Sequence, residues 1–306
     1  MSSNPNLKWI YLVVLSLIWG SSFILMKRGL VYYPPEQVAA IRLTVAFMAS
    51  FPFAIRGYKN IRNQDWKFLL IPGVVGSGIP ALLFAIAQTR INSSLAGMLN
   101  SLTPLFTLIV GALFFQFQFS VKHVLGVLLG FVGAAGLVLV RSDGLHFENS
   151  EYALLIVVAT LFYGISVNTI KTKLGHLDSM TISGLGLLFA GIPYAVYLFF
   201  GSDFLFRLQN APGAWSGLGY IITLGIMSTA LSNLLYFHMV KISTPLFASA
   251  VTYFIPIVAL GWGVMDGEQL HLLHLVAFGF ILGGVGLISY RTAAVKVDKN
   301  KNPALK

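Results

Sequence analysis

The side chains able to do chemistry in this chain are a few polar groups set deep inside apolar runs. They are Trp19 and Ser22, Asn100, Tyr163 and Asn168, Asn233 and Tyr236, and Tyr253. Each lies within a run of about twenty mostly apolar residues, the length that crosses a bilayer. Lipid offers no hydrogen bonds, so such groups face protein or a wet cavity. Hydrogen bonding between packed helices is the plainer role for any single Ser or Thr, worth about 0.6 kcal/mol per contact. Asn100, Asn233 and Tyr236 point instead to a cavity wall, because an amide costs more to bury than a hydroxyl that can bond its own helix. Trp19 and Tyr163 each directly precede a glycine, Gly20 and Gly164. A ring beside a glycine at depth fills space between helices, or offers its face to a ligand. A cation–π contact with a desolvated ammonium there is worth roughly 2 kcal/mol.

Three further positions carry alternatives. Arg42 lies within the second apolar run, two turns from Pro35. Its long stem favours snorkelling to the interface or pairing with Glu36, ahead of facing a cavity and holding a carboxylate. Pro104 and Pro256 each remove a backbone donor in mid-run, which gives a fixed kink or a hinge for gating. Lys27 and Lys171 stand at run ends, as interface anchors by default and gate contacts as the sharper alternative.

What is missing narrows the chemistry. The 306 residues hold no cysteine, so there is no thiol nucleophile, disulfide or cysteine metal site. Gly-Lys does not occur, which excludes a Walker loop, and the glycines at 73, 76 and 78 lie within an apolar run with no strand before them. None of the six histidines forms a His-Glu-x-x-His pattern; they read as interfacial residues, with no metal site, cofactor or catalytic residue expected. No paired intramembrane aspartate and no Gly-x-Ser-x-Gly run support proteolysis. The net charge of +10 is no sign of nucleic acid, because the basic residues lie mostly in short loops and the tail.

Ten elements must position these groups. With 57% hydrophobic and 10% charged residues, against about 25% charged in a soluble domain, the chain has lipid as its solvent. The expected fold is all-α integral membrane, with spans near 9–28, 36–55, 67–88, 94–115, 121–140, 152–171, 179–200, 214–238, 244–265 and 270–290. The first of these reads as a retained span and not as a cleaved signal. Landmarks recur: Gly20, Lys27 and Leu30 keep the offsets of Gly164, Lys171 and Leu174, and Gly133, Gly136 and Arg141 those of Gly283, Gly286 and Arg291. The chain therefore reads as two five-helix repeats, 7–141 and 151–291, joined by a linker at 142–150 and followed by a basic tail at 292–306. An odd number of spans, repeated, enters the membrane from the opposite side, and inverted repeats of this kind mark secondary transporters. Fourteen of the 20 Lys and Arg fall on the side of the two termini, which the positive-inside rule makes cytoplasmic. Gly126, Gly130 and Gly133, and Gly279, Gly283 and Gly286, line single helix faces and read as packing seams, within the subunit or in a homodimer.

These features carry a resemblance. Leu17-Ile18-Trp19-Gly20-Ser21-Ser22-Phe23, the run from Pro34 to Arg42, and Gly267-Glu268-Gln269-Leu270 are similar to motifs of the drug/metabolite transporter superfamily, in its EamA-type branch. Gln118 departs from the pattern where a glutamate is usual. The resemblance implies an inner (plasma) membrane permease of bacteria, often an exporter of amino acids or other small metabolites.

The residues and the resemblance together predict a transporter that moves a small metabolite by alternating access, with its substrate between helices one, three, four, six, eight and nine. An apolar, aromatic cavity suits an amino acid or a neutral amphiphile better than a multiply charged anion. The expected partners are the lipid bilayer and that small molecule. The rival reading is a non-transporting scaffold or a membrane-embedded enzyme.

Overall fold

The computed structural model of the chain describes residues 7–115, 121–141, 144–145, 150–268 and 272–289. Gln118, the tail at 292–306 and most of the linker at 142–150 lie outside them. The described chain is almost entirely helical, apart from a two-residue antiparallel pairing of Val140–Arg141 with Gly144–Leu145. In order, the apolar helices are α1 (Leu7–Leu30), α2 (Pro35–Gly57), α3 (Asn63–Ala87), α4 (Ser93–Phe115), α5 (Val121–Leu139), α6 (Ser150–Lys173), α7 (Ser179–Phe200), α8 (Ala214–Ile242), α9 (Phe247–Met265) and α10 (Leu272–Ser289). All except α5 and α10 are long and apolar enough to cross a membrane, and those two are shorter apolar helices. Each lies within a few residues of the run expected from sequence. A short helix, Phe204–Asn210, follows α7.

Local chemistry sets the helix ends. Pro35 opens α2, where its missing N–H costs nothing. The Asn92 carboxamide oxygen accepts from the Leu95 amide at 2.8 Å and starts α4. Asp178 does the same for α7, accepting from the Thr181 amide at 2.8 Å. Burial works to raise the Asp178 carboxyl, but its bonds to the Thr181 hydroxyl and amide hold it below the usual carboxylate range. Large apolar side chains such as Val13, Leu17, Met48, Phe114, Phe131 and Val196 face outward, as a lipid solvent requires.

Four helices are irregular, and they are irregular in pairs. Within α3 the stretch Ile71–Gly78 is π-helical, and within α8 the stretch Ile226–Leu231 is π-helical too. The helix α4 breaks between Ser93–Asn100 and Thr103–Phe115. Likewise α9 passes through a 3₁₀ turn, Ala250–Tyr253, before restarting as Ile255–Met265. Pro104 and Pro256 are each the second residue of the restarted segment. The two prolines thus sit at helix starts and not in mid-turn, where the first N–H groups lack partners anyway.

The packing pairs the same elements across the halves. Helix α1 lies against α8 and α9, α6 against α3 and α4, α2 along α7, and α5 along α10. Glycine makes these approaches feasible. A Cβ at Gly164 would stand 2.8 Å from the Phe106 carbonyl carbon of α4, and one at Gly20 falls on Val258 of α9. The glycine seam of α5 is filled within the chain: Gly130 meets Leu105, and Gly133 meets Ala277 and Ile281. On α10 the tightly packed glycine is Gly284, against Gly126 and Gly130, whereas Gly279 and Gly286 meet nothing within 4 Å.

Candidate functional site

The irregular stretches surround a cavity of about 90 Å³. It is well above the roughly 10–15 Å³ that a single water needs. From α1 it takes Trp19, Ser22, Phe23 and Met26; from α2, Arg42; from α3, Gly76, Ser77 and Phe84; from α4, Asn100 and Thr103. The second half contributes Tyr163 and Ser166 from α6, Ser228, Thr229, Asn233, Tyr236 and Phe237 from α8, and Thr252 from α9. Most of its polar lining comes from backbone that is π-helical, 3₁₀ or broken, or from the turn beside it. In lipid such backbone is tolerated where it lines a cavity.

The π-helical stretch of α3 meets α8 just past the π-helical stretch of that helix. The Asn233 amide donates to the Ser77 hydroxyl at 3.1 Å, and that hydroxyl donates to the Pro72 carbonyl five residues back at 3.1 Å. In α8 the Ser232 hydroxyl likewise reaches the Met227 carbonyl at 2.7 Å. The Trp19 indole N–H donates to the Ser228 carbonyl at 3.0 Å. With that donor satisfied, the Trp19 ring stands edge-on to Tyr236 at 5.1 Å. Tyr163 stacks on Phe84 at 6.2 Å, and Phe84 lies 5.8 Å from Phe23. The result is an aromatic wall held by its own contacts.

Six of the eight candidate residues, Trp19, Ser22, Asn100, Tyr163, Asn233 and Tyr236, line this cavity. Asn168 and Tyr253 do not. Asn168 is fully buried between α6 and α4, where its amide donates to the carbonyls of Thr107 at 2.9 Å and Gly164 at 2.8 Å. Tyr253 packs on the hydrophobic core. It follows Thr252 in a three-residue turn, so its side chain leaves about 120° away from the one that reaches the cavity. Both carboxamide oxygens are buried without a hydrogen-bond partner, but only Asn100 lines the cavity.

Arg42 requires a correction. It neither snorkels nor pairs with Glu36. Its Nε donates to the Thr229 hydroxyl of α8 at 2.8 Å, and it lines the cavity. Helix α2 is therefore part of the wall, beyond the six helices expected. Met26, Phe84 and Phe237 were not singled out from sequence, and Phe23 only as the end of the first-helix motif. An apolar residue in an apolar run carries no signal of which way it faces.

At the end of α1 the cavity gives way to charge. Lys27 follows the lining residue Met26 and lies 2.8 Å from both Asp266 and Glu268. Arg28 pairs with Asp266 as well. Glu268 also accepts the Ser93 and Ser94 amides, each at 3.0 Å, and the Ser94 hydroxyl at 2.6 Å. A carboxylate thus caps the first turn of α4, where the helix dipole favours it. Lys27 holds the Asp266 carboxyl below the usual range. Burial works to raise Glu268, but Lys27 and the α4 donors outweigh it and hold that carboxyl low too. Lys171, at the matching place on α6, donates instead to the carbonyls of Val240, Lys241 and Ser243, at 3.2, 2.9 and 2.6 Å. There it serves the end of α8 as a cation at a helix C-terminus.

Known proteins share this plan. The sequence pattern of the EamA-like transporter family matches residues 7–139 and again 151–290. An uncharacterized transporter from Archaeoglobus fulgidus is 25% identical over 282 residues, which cover 92% of this chain and 98% of that protein. A probable terminal-alkyne amino-acid exporter from Streptantibioticus cattleyicolor is 23% identical, over 93% of this chain and 94% of its own length. A solved crystal structure with 17% sequence identity superposes with a TM-score of 0.63, covering 92% of this chain and 95% of that one, and shares the fold. With the pattern matched twice, over nearly all of the apolar sequence, the chain belongs to the EamA-like transporter family.

Proposed function

We propose that the protein is a secondary transporter that exports a small metabolite across the inner membrane of a bacterium, by alternating access between two inverted repeats of five helices. One observation carries the reading: a polar-lined cavity lies at span depth, with walls drawn from both halves. The exchange of partners supports it, since α1 contacts α8 and α9 as α6 contacts α3 and α4. The paired irregular helices support it too, and Pro104 and Pro256 at the two restarts are its hinge positions. The name of the Streptantibioticus cattleyicolor relative supports an outward direction and an amino-acid-like substrate. Trp19, Ser22, Asn100, Tyr163, Asn233 and Tyr236 are the substrate contacts in this reading. A homodimer through glycine faces would use Gly279 and Gly286, since the rest of the seam is filled within the chain.

The test is flux in sealed liposomes holding the purified protein, with a labelled panel of amino acids, their amides and small organic acids. Saturable flux of at least one compound, absent from protein-free liposomes, is the expected result. A folded protein that moves none of the panel would favour the scaffold or enzyme reading.

A further inference from the structure

We propose that Arg42 is the anion-recognition residue of the cavity, and that the molecule it takes is a small monocarboxylate on an apolar body. This rests on the transporter reading only for the claim that the molecule is carried.

The argument is one of charge. Among the residues that line the cavity Arg42 alone is charged, since the others are aromatic, aliphatic, hydroxyl, amide and glycine. Among the described residues, no Asp or Glu lies within ion-pair distance of its guanidinium. Its hydrogen bond is the Nε contact to Thr229, a neutral acceptor. That bond fixes the orientation of the planar group and leaves the two terminal nitrogens for a second partner. A charge taken out of water without a counter-ion is costly, so a buried cation is ordinarily paired. Arg42 is only half-buried and faces the wet cavity, so the counter-ion that would replace that water comes from outside the protein. One cation matches one negative charge, and a carboxylate meets the guanidinium fork with two parallel hydrogen bonds. The rest of the wall is largely ring and methyl surface, from Trp19, Phe23, Met26, Phe84 and Phe237. It suits an apolar body behind the carboxylate. Of the two substrate classes the composition left open, the neutral amphiphile is therefore the poorer fit.

Binding to purified protein, read as thermal stabilisation, tests this without flux. The probes are 3-phenylpropionate, 3-phenylpropionamide, phenethylamine and inorganic phosphate at equal concentrations. The acid should stabilise the wild type, with the amide and the amine weaker by about tenfold or more in apparent affinity, the scale of one charge-assisted contact. Arg42→Gln should lose the preference for acid over amide, yet melt no lower than the wild type without ligand, because it removes an uncompensated charge. Arg42→Lys should keep the preference but bind the acid more weakly, lacking the fork and the Thr229 bond. Equal binding of acid and amide, a preference that survives in Arg42→Gln, or no stabilisation by the acid would each overturn the proposal. Phosphate binding as well as the acid would overturn the carboxylate assignment. A protein that binds the acid and moves nothing in liposomes fails the transport reading alone. One that moves compounds without preferring carboxylates fails this proposal alone.

Discussion

Asn100 and Asn168 are the same side chain at similar depth, and only one of them reaches the cavity. Asn168 finds two backbone carbonyls and is fully buried. Asn100 lines the cavity instead, although the carboxamide oxygens of both lack a partner. The chain has no native cysteine, so single thiols can report the difference. Asn100→Cys should react with a small hydrophilic thiol reagent at least tenfold faster than Asn168→Cys, with the tenfold spacing set by about 1.4 kcal/mol in access. Equal rates would return Asn100 to a packing role. Sequence flagged both amides, because a polar group in an apolar run is conspicuous. It could not tell them apart, since the distinction rests on whether a neighbouring helix offers a carbonyl. Arg42 was misjudged for a related reason. Two turns from Pro35, an arginine can reach the interface, and nothing local shows that Thr229 of a distant helix will hold it inward.

Helices carry information that the hydropathy of a run cannot. Twenty apolar residues in a row announce a span, and the observed ends fall within a few residues of the runs read from sequence. The π-helical stretches were not legible. Each residue inserted into a regular turn rotates everything after it by about 100°. Phe84 and Tyr236, which follow such stretches, therefore face directions that a 3.6-residue period does not give. The charged cluster at the end of α1 was half legible: Lys27 was a gate alternative and Glu268 part of an acidic turn, but their pairing needed the fold. Its pH response follows from the two lowered carboxyls. A carboxyl held below its ordinary value, about 3.9 for Asp and 4.3 for Glu, stabilises the fold above that value. It loses the effect only as pH falls through the lower, folded value. The cluster should therefore stay intact from pH 8 to 5.5, and the labelling rate of Asn100→Cys should be unchanged once corrected for reagent chemistry. Adding Glu268→Gln should raise that rate several-fold at both pH values, because it removes one of the two charges on Lys27 and the negative charge that caps the α4 amides. A corrected rate that climbs on acidification without the second substitution would show that the cluster opens in this range.

At the scale of the whole molecule, repetition was the strongest signal in the sequence. Matched landmarks at 20, 27 and 30 and at 164, 171 and 174 proposed two halves before any contact was known. The partner exchange between α1 and α6 is what an inverted arrangement would produce. The basic loops predict an orientation with both termini in the cytoplasm. A reporter enzyme active only outside the cytoplasm should stay silent after Lys306 and work when inserted near Gly144. The opposite pattern would reverse the topology. What repetition could not give is the mismatch between Lys27, held by two carboxylates, and Lys171, held by three carbonyls. That mismatch bears on the first segment of α4, which touches the charged cluster at Ser93 and the cavity at Asn100. Seven residues of helix, roughly 10 Å, separate the two, with no loop between them. Two binding events on one stiff rod are linked reciprocally: whatever free energy a ligand at Asn100 takes from the Glu268 cap, loss of that cap returns to the ligand. A carrier whose cap is removed should thus reveal, by the sign of its change in ligand affinity, whether the molecule it carries is the key to that end of the protein or only its passenger.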